Sequence, residues 1–349
     1  MTADDNTAVV IHGAGDIRVE SRPVPRPGPD QVAVRVEVGG ICGSDLSYYR
    51  HGAVGDFRVR RPMILGHEVV GTVAAVGPGV RPGLVGERVA VDPSSPCGTC
   101  DRCREGRPNV CLTPVFLGSA STDPHVDGGF SSVLLARASN LVPVPGGLGQ
   151  RSAAFAEPLA VCLHAIGRAG GVAGRRVLIV GAGPIGAMAA AAAVRLGAGA
   201  VVVSDLDTER LAVVDRLAVD RTLTADLVAD HVATDGRFDL VIEASGSGPG
   251  IAAAIESARR GGTVVLVGLP HGGPPTLPIG LGVSGELDVL GSFRFRHDEF
   301  VAAVDLLGDG LDLGPLLTAR FAATEADSAF VTADRPTSMK VQLDFIADP

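Results

Sequence analysis

The chain has 349 residues, which is long for one hydrophobic core and predicts two domains. Hydrophobic residues make up 46% of the sequence and charged residues 20%, as in ordinary globular proteins, and the formal net charge is −9. This acidic balance argues against nucleic acid or an anionic membrane as the main partner.

Targeting and membrane signals are weak in this sequence. The first ten residues lack the basic start and the apolar core of a signal peptide. The one candidate membrane segment, 187–203, is interrupted by Arg195 and by glycines, so that neither part could cross a bilayer. We therefore expect a cytoplasmic protein without a membrane partner, in which clustered cysteines serve as metal ligands or thiols instead of disulfides.

The first 155 residues are predicted to form a β-rich domain. Segments 31–40 and 69–77 alternate or run apolar between turn residues, which is typical of short strands. Proline and glycine in segment 140–148 indicate a boundary near the end of this domain.

Residues 156–292 are predicted to form a second domain, in which apolar strands alternate with helices. The first long helix has Pro184 in its first turn and Gly197 at its end. Nearly all-apolar strands joined by helices predict a doubly wound parallel sheet covered on both faces. Residues 293–349 are too few for a further domain, so we expect them to return to the first. The predicted strands are 175–183, 200–205, 238–246, 262–269 and 287–293, and the predicted helices are 184–197, 208–218, 250–260 and 298–310.

The motif GAGPIG follows the first of these strands and opens the helix after it. Its glycines fit the G-x-G-x-x-G pattern of a dinucleotide-binding turn. Asp205 ends the next strand, where a carboxylate accepts hydrogen bonds from ribose hydroxyls and repels a 2′-phosphate; capping of the next helix is its alternative role. We therefore predict NAD in preference to NADP, although Arg210 could accommodate a phosphate. The predicted cofactor-binding residues are Gly181, Gly183, Pro184, Ile185, Gly186, Asp205 and Arg210.

Four cysteines within 15 residues form a C-x2-C-x2-C-x7-C array. Four thiolates can close around one tetrahedral ion with no open position, which predicts a structural zinc site. An iron–sulfur cluster and free thiols are the alternatives. The predicted ligands are Cys97, Cys100, Cys103 and Cys111.

Cys42 and His67 are the candidates for a second metal site. Together with the carboxylate of Glu68 they could hold zinc and leave a position for water or substrate. They are 25 residues apart, however, and spacing alone favours burial in a core for a lone cysteine and a lone histidine. Cys162, in an apolar run, is interpreted as a small buried hydrophobe.

The order of these motifs resembles the zinc-dependent medium-chain alcohol and polyol dehydrogenases along nearly the whole chain. The matching segments are ICGSD, GHEVVGTVAAVGPGV, GERVAVDP, CGTCDRC, NVC, EPLAV and GAGPIG. Within this family the chain is similar to the polyol branch, which includes sorbitol dehydrogenases, and FLGSA, PHVDGGF and GSFRF are similar to its L-idonate 5-dehydrogenases.

The resemblance implies an α/β fold with two domains in a homodimer or homotetramer. A β-rich GroES-like catalytic domain spans 1–155, with a zinc lobe at about 93–113, and receives the returning residues 293–349. A Rossmann dinucleotide-binding domain spans 156–292, and its strand near 287–291 is the expected pairing edge between subunits.

The resemblance also implies that Cys42 and His67 bind a catalytic zinc ion and that a glutamate completes the set. Glu68 and Glu157 both match, and either could ligate directly while the other binds through water. The metal then lowers the pKa of the substrate alcohol, Ser44 carries the proton away, and the carbinol hydrogen leaves as a hydride to the nicotinamide.

Ser44, Tyr48 and Phe116 match residues that contact substrate in the polyol branch. Tyr48 is expected to give the substrate a hydrogen bond and a flat wall, which places it with Ser44 and the two glutamates among the catalytic residues. Arg294 could pair with the carboxylate of a sugar acid or form a structural ion pair. Ser47 replaces a histidine that passes the proton to solvent in many relatives, so either Ser47 with water continues the relay or the proton leaves by another route.

We therefore predict an NAD- and zinc-dependent dehydrogenase acting on a secondary alcohol of a small-molecule sugar acid or polyol. The favoured reaction is L-idonate to 5-ketogluconate, and sorbitol or xylitol oxidation is the alternative within the enzyme class. The alternative of another class is a non-catalytic nucleotide-binding or structural protein on the same fold. Such a protein would have no need to keep Cys42, Ser44, His67 and Glu157 together.

Overall fold

The computed structural model describes residues 5–269 and 276–346, which form two compact units. The first unit comprises Met1–Glu157, Arg296–Gly310 and Leu317–Pro349, and the second comprises Pro158–Phe295 and Leu311–Leu316. The domain bounds predicted at residues 155 and 292 lie two and three residues from these divisions. Segment 311–316 differs from the prediction because it belongs to the second unit. The predicted bounds stay a proposal.

Strands and helices are numbered here in chain order. The strands are β1 (Asp5–Gly13), β2 (Asp16–Pro23), β3 (Gln31–Gly40), β4 (Ala53–Val54), β5 (Phe57–Arg58), β6 (Met63–Ile64), β7 (Glu68–Val76), β8 (Arg88–Val91), β9 (Ser94–Ser95), β10 (Val115–Phe116), β11 (Val133–Arg137), β12 (Leu141–Pro143), β13 (Arg176–Val180), β14 (Ala200–Asp205), β15 (Arg221–Thr224), β16 (Phe238–Glu243), β17 (Ala258–Leu266), β18 (Asp288–Gly291), β19 (Leu317–Ala322) and β20 (Lys340–Asp344). The α-helices are α1 (Gly43–His51), α2 (Asp101–Arg104), α3 (Gln150–Ala153), α4 (Ala156–Arg168), α5 (Pro184–Arg195), α6 (Thr208–Val214), α7 (Val228–Asp235), α8 (Gly248–Ser257), α9 (Ile279–Gly285), α10 (His297–Gly308) and α11 (Ala326–Ala333). Short 3-10 helices span Pro82–Leu84, Pro108–Val110, Ala138–Asn140, Asp215–Leu217, Ala225–Leu227, Gly314–Leu316 and Ala323–Glu325.

The first unit is built around a mostly antiparallel sheet. The strand order is β12-β8-β7-β3-β20-β19, and β11 also pairs with β3. Valines that alternate along β3 and its neighbours are fully buried, and burial of one such side chain stabilises the fold by about 1.5–3 kcal/mol. In the register of this sheet Gly40 lies opposite both Glu68 and Gln342, so the ends of β3, β7 and β20 meet at one place.

The second unit contains a six-stranded parallel sheet with the order β15-β14-β13-β16-β17-β18. Its central strands are apolar and buried, as in β13, where Val177–Val180 are all buried. The strand order reverses between β13 and β16, which is the crevice where open parallel sheets bind ligands. The predicted doubly wound parallel sheet is therefore confirmed.

The run 187–203 belongs to this sheet unit and is divided between α5 and β14. The helix is 12 residues long, and its alanines Ala187 and Ala189–Ala193 are buried. Within the described parts of the chain, no helix is both long and apolar enough to cross a membrane.

One strand of the parallel sheet was not predicted from the sequence. β15 is four residues long, reads RTLT and has a single aliphatic side chain, so it gives no apolar run. It pairs only at one edge of the sheet, where Arg221 lies opposite Val202 of β14. β18 forms the opposite edge.

Candidate metal and dinucleotide sites

Cys42, His67 and Glu68 form a cluster in the first unit. One potential ligand atom from each lies within 4.8 Å of the other two. His67 and Glu68 are buried and Cys42 is half-buried. The pairing of Gly40 with Glu68 brings the segments together, because Cys42 follows β3 by two residues and His67 immediately precedes β7. A thiolate, an imidazole and a carboxylate are a donor set that zinc accepts, with a fourth position left for water or substrate.

Asp45 links the two segments that carry these residues. Its Oδ2 accepts the Cys42 N–H at 2.9 Å, its Oδ1 accepts the Gly66 N–H at 3.3 Å, and Oδ1 lies 3.8 Å from Nδ1 of His67. Burial raises the pKa of Asp45. Burial alone would lower the pKa of His67, but Asp45 and Cys42 raise it well above its usual value. The 3.8 Å separation is longer than a hydrogen bond, so Asp45 acts on the His67 imidazole through its charge.

Lys340 is the partner of Glu68. Its Nζ lies 2.8 Å from each carboxylate oxygen of Glu68 and donates to the Ile41 carbonyl at 3.2 Å. Both side chains are buried, with 4% of Lys340 and 1% of Glu68 exposed. Burial alone would lower the pKa of Lys340, but the Glu68 carboxylate raises it. Lys340 is the one lysine in the sequence, and the other 29 of the 30 Lys and Arg residues are arginines.

Sequence reasoning missed both Asp45 and Lys340. Asp45 had a local signal, since an acid three residues after Cys42 falls at the third residue of α1, where it accepts the N-cap N–H. Lys340 is 272 residues from Glu68. The only indication in the sequence was that Lys340 is the single lysine of an arginine-rich chain.

Glu157 lies in the first turn of α4 and is 6% exposed. Burial raises the pKa of Glu157 to about 7, His67 works in the opposite direction, and Glu68 raises it further. Among the described residues, the group with ligand atoms within 4.8 Å of one another contains Glu68 and not Glu157. The geometry therefore favours Glu68 as the direct ligand, and the role of either glutamate stays a prediction.

The residues predicted to contact substrate occupy varied surroundings. Ser44 is half-buried in the first turn of α1. Tyr48 is 3% exposed, and its hydroxyl oxygen accepts the Ala120 N–H at 3.0 Å. The Phe116 ring centroid lies 5.5 Å from that of His67, so this aromatic side chain lies beside the candidate metal ligands. Ser47 donates its hydroxyl proton to the Ala53 carbonyl at 2.7 Å.

Arg294 lies in the second unit, just after β18. Its backbone has a φ of 54°, a left-handed value that is uncommon for a residue with a side chain. Its guanidinium carbon is 5.1 Å from the centroid of the Phe293 ring, which is a cation–π distance. A role in carboxylate binding stays a prediction.

The four-cysteine array is closed in the structure. The Sγ–Sγ distances are 3.5 Å from Cys100 to Cys103, 3.8 Å from Cys100 to Cys111 and 4.0 Å from Cys97 to Cys103. Zinc–sulfur bonds of about 2.3 Å place tetrahedral thiolates about 3.8 Å apart, so the array fits one zinc ion better than a cluster of several irons. Backbone hydrogen bonds at Thr99 and Cys100 lower the pKa of Cys97 to about 5, while burial and the neighbouring thiols raise that of Cys103 to about 12.

The GAGPIG turn connects β13 to α5 in the second unit. Gly181 has a φ of 103°, and a Cβ on Gly186 would lie 1.8 Å from the Gly181 carbonyl oxygen, so both positions require glycine. Gly183 is the N-cap of α5 and Pro184 its first residue. Free N–H groups at a helix N-terminus of this kind can bind a pyrophosphate.

Asp205 lies beside this turn. Its Oδ2 accepts the Ala182 N–H at 2.6 Å and its Oδ1 accepts the Asp207 N–H at 2.9 Å. Asp207, not Asp205, caps α6 by accepting the N–H groups of Glu209 and Arg210. The capping alternative for Asp205 is therefore wrong. The Arg210 guanidinium reaches the turn, since its Nη1 lies 3.9 Å from where a Cβ on Gly183 would be.

Family models match parts of both units, and known proteins match the chain along most of its length. The family described as "Alcohol dehydrogenase GroES-like domain" matches residues 28–146, and the family described as "Zinc-binding dehydrogenase" matches residues 184–309. Sorbitol dehydrogenase of Gallus gallus is 40% identical over 347 residues, covering 97% of this chain and 96% of the relative. L-idonate 5-dehydrogenase (NAD(P)(+)) of Escherichia coli (strain K12) is 39% identical over 316 residues, covering 89% and 91%. The crystal structure of L-idonate 5-dehydrogenase from Escherichia coli str. K-12 substr. MG1655 matches with a TM-score of 0.92 and 36% identity, covering 98% of each chain.

A GroES-like unit with a dinucleotide-binding parallel-sheet unit defines the class of medium-chain dehydrogenases, and the predicted fold class is confirmed. The chain belongs to the zinc-dependent alcohol and polyol dehydrogenase family. Sorbitol and L-idonate dehydrogenases match at similar identity, so family membership does not choose between their substrates.

Proposed function

We propose that the protein oxidises a secondary alcohol of a sugar acid or polyol, with NAD as acceptor and zinc held by Cys42, His67 and Glu68. The observation that carries the proposal is this Cys–His–Glu cluster, with its histidine and glutamate buried, in a chain that also has the GAGPIG turn. When bound, zinc lowers the pKa of an alcohol and the nicotinamide accepts a hydride.

The residues of the chain have separate tasks in this proposal. The Asp45 carboxylate, 3.8 Å from the His67 Nδ1, acts on the imidazole through its charge. The Ser44 hydroxyl, two residues from Cys42, takes the proton of the substrate alcohol. Because the Ser47 proton is engaged with the Ala53 carbonyl, Ser47 acts as an acceptor for water at the relay exit. Glu157 binds the site through water, because Glu68 is the glutamate within the ligand cluster. Tyr48 and Phe116 form part of the wall around the substrate.

L-idonate is the favoured substrate, with 5-ketogluconate as product. The match to the L-idonate 5-dehydrogenase structure along 98% of the chain supports it. The Arg294 guanidinium is proposed to bind the substrate carboxylate. Sorbitol or xylitol is the second candidate, favoured by the 40% identity to a sorbitol dehydrogenase. Asp205 beside the GAGPIG turn supports NAD over NADP, since a carboxylate there repels a 2′-phosphate.

A second copy of the chain is proposed to pair with the edge strand β18. In the described part of the sheet β18 pairs with β17 on one side only, and Val289 is 43% exposed. Light scattering is expected to give the mass of a dimer or tetramer, and a monomer at micromolar concentration would contradict the proposal.

The test is NAD and NADP reduction with L-idonate, D-gluconate, sorbitol, xylitol and a simple alcohol, before and after verified metal removal. Turnover of L-idonate that is lost on chelation supports the favoured reaction, whereas turnover of sorbitol or xylitol supports the second candidate. Arg294→Leu is expected to raise the KM for L-idonate about tenfold or more and to spare sorbitol, with the exposed Arg260→Leu as control. Turnover that survives complete zinc loss would contradict the role of Cys42 and His67.

A further inference from the structure

Glu243 is a buried carboxylate that the proposed reaction does not use. It is the last residue of β16 and has no exposed surface. Its backbone lies in the centre of the parallel sheet, opposite Val180 of β13 on one side and Leu266 of β17 on the other. A carboxylate in such a place is costly unless hydrogen bonds satisfy it.

The carboxylate accepts hydrogen bonds from the turn that immediately follows it. Oε1 accepts the N–H of Ser245 at 2.8 Å, the N–H of Gly246 at 3.0 Å and the hydroxyl of Ser245. Oε2 lies 3.3 Å from the same Gly246 nitrogen. Glu243 thereby folds residues 244–246 into a tight turn, with Gly246 at a φ of 64°.

This turn packs directly against the dinucleotide turn. A Cβ on Gly181 would lie 2.8 Å from the Ser245 nitrogen and 3.1 Å from the Ala244 carbonyl carbon. The Ala244 N–H also donates to the Val180 carbonyl, the last residue before Gly181. The backbone shape that Glu243 imposes therefore sets the position of the first glycine of GAGPIG.

The location of the two turns gives this contact a functional meaning. The strand order reverses between β13 and β16, and ligands of open parallel sheets bind in the crevice outside the carboxyl ends of the strands at that point. The Gly181 turn follows β13 and the Ser245 turn follows the neighbouring strand β16, so the two turns are adjacent walls of this crevice.

We propose that Glu243 is a positioning residue for the dinucleotide, whose carboxylate holds the second wall of the crevice against the GAGPIG turn. The inference rests on the proposed NAD-dependent function and deepens it. Glu243→Gln keeps the size of the side chain but replaces one acceptor oxygen by an N–H2 group facing the Gly246 N–H. Two buried donors that face each other are unfavourable, so the turn is expected to open and the cofactor to bind more weakly in the crevice.

Asp239 provides a matched control on the same strand. It lies at the amino end of β16, where its Oδ2 accepts the Arg176 N–H at 2.8 Å and its Oδ1 pairs with Arg259. Asp239→Asn therefore removes a hydrogen-bonded, partly exposed carboxylate at the edge away from the crevice. Ser245→Ala is a milder second variant, which leaves the two backbone bonds to Glu243 in place. It removes the hydroxyl bond to Glu243 together with the contacts of the same oxygen to the N–H and the hydroxyl of Ser247.

The experiment measures NADH binding by calorimetry and the separate KM values for NAD and for the alcohol. Glu243→Gln is expected to raise the Kd for NADH and the KM for NAD about tenfold, with the alcohol KM and zinc content within about twofold of wild type. Ser245→Ala is expected to show a smaller shift in the same direction, and Asp239→Asn none. An unchanged Kd in Glu243→Gln, or equal shifts in Glu243→Gln and Asp239→Asn, would overturn the inference. Failure of the wild-type protein to bind NADH would refute the proposed cofactor itself and the inference with it.

Discussion

Replacing Lys340 by methionine tests how the charge of this lysine affects zinc binding by Cys42, His67 and Glu68. Methionine is unbranched, one atom shorter than lysine and uncharged, so Glu68 remains buried while both of its 2.8 Å ion-pair contacts disappear. Removing one partner of a buried ion pair typically costs about 3–5 kcal/mol, because the other charge is left uncompensated. We expect a loss of about this size in zinc-free protein.

Bound zinc is expected to reduce this loss of stability, since a divalent ion beside Glu68 supplies the missing positive charge. If the zinc-loaded variant loses only about 1 kcal/mol, about 2–4 kcal/mol of the loss is recovered on binding. The variant then binds this zinc about 30- to 1000-fold more tightly than wild type. This result would mean that Lys340 competes with the metal for the Glu68 carboxylate in the wild-type protein.

The assay is competition for zinc with a chromophoric chelator, with urea unfolding in zinc-free buffer followed by circular dichroism. Arg320→Met is the control, because Arg320 forms a half-exposed ion pair with Asp344 in the same sheet and should cost at most about 1 kcal/mol at any zinc concentration. Unchanged or weaker zinc binding by Lys340→Met would refute competition between Lys340 and zinc for Glu68. It would show instead that the packing of the lysine supports the site.

Three further outcomes are expected. Cys103→Ser lowers the zinc content from two ions to one per chain by elemental analysis, whereas Cys162→Ala, in the core, leaves two; retention of two ions by Cys103→Ser would contradict a structural zinc site. Asp205→Ser raises the Kd for NAD about tenfold and shifts the ratio of kcat/KM values towards NADP, and a ratio that stays constant would exclude Asp205 from the ribose site. The hydrogen bond to Asp92 raises the pKa of His297, so their pair stabilises the fold fully below about pH 6.5 and is lost as pH rises through the higher folded value. His297→Gln should therefore cost under about 1 kcal/mol at pH 6 and nearly nothing at pH 9, since His297 is half-exposed; an equal cost at both values would contradict the ion pair.

Sites whose geometry is set within one short segment could be predicted from the sequence. The four cysteines lie within 15 residues, and their spacing alone brings the thiols to 3.5–4.0 Å of one another. The GAGPIG turn is equally local, because strand, glycines and helix are consecutive. In both cases the chain has few other ways to place these residues.

The cluster of Cys42, His67 and Glu68 depends on long-range pairing, and spacing alone did not reveal it. From their spacing, Cys42 and His67 are interpreted as separate core residues. The register of β3 with β7, which places Gly40 opposite Glu68, brings them together. Lys340 enters the cluster only because β20 pairs with β3. β15 was missed for another reason, since an edge strand with one aliphatic residue has no apolar pattern to detect.

The single lysine also gives the protein only one side-chain amine that an acylating reagent can modify. Apart from the α-amino group, Lys340 carries the only primary amine in the sequence, and it is 4% exposed. An acylating reagent can reach its Nζ only when the packing around the ends of β3, β7 and β20 opens. The rate of acylation of a single peptide, read by mass spectrometry, therefore reports the opening of the metal cluster in the unmodified protein, without an engineered label.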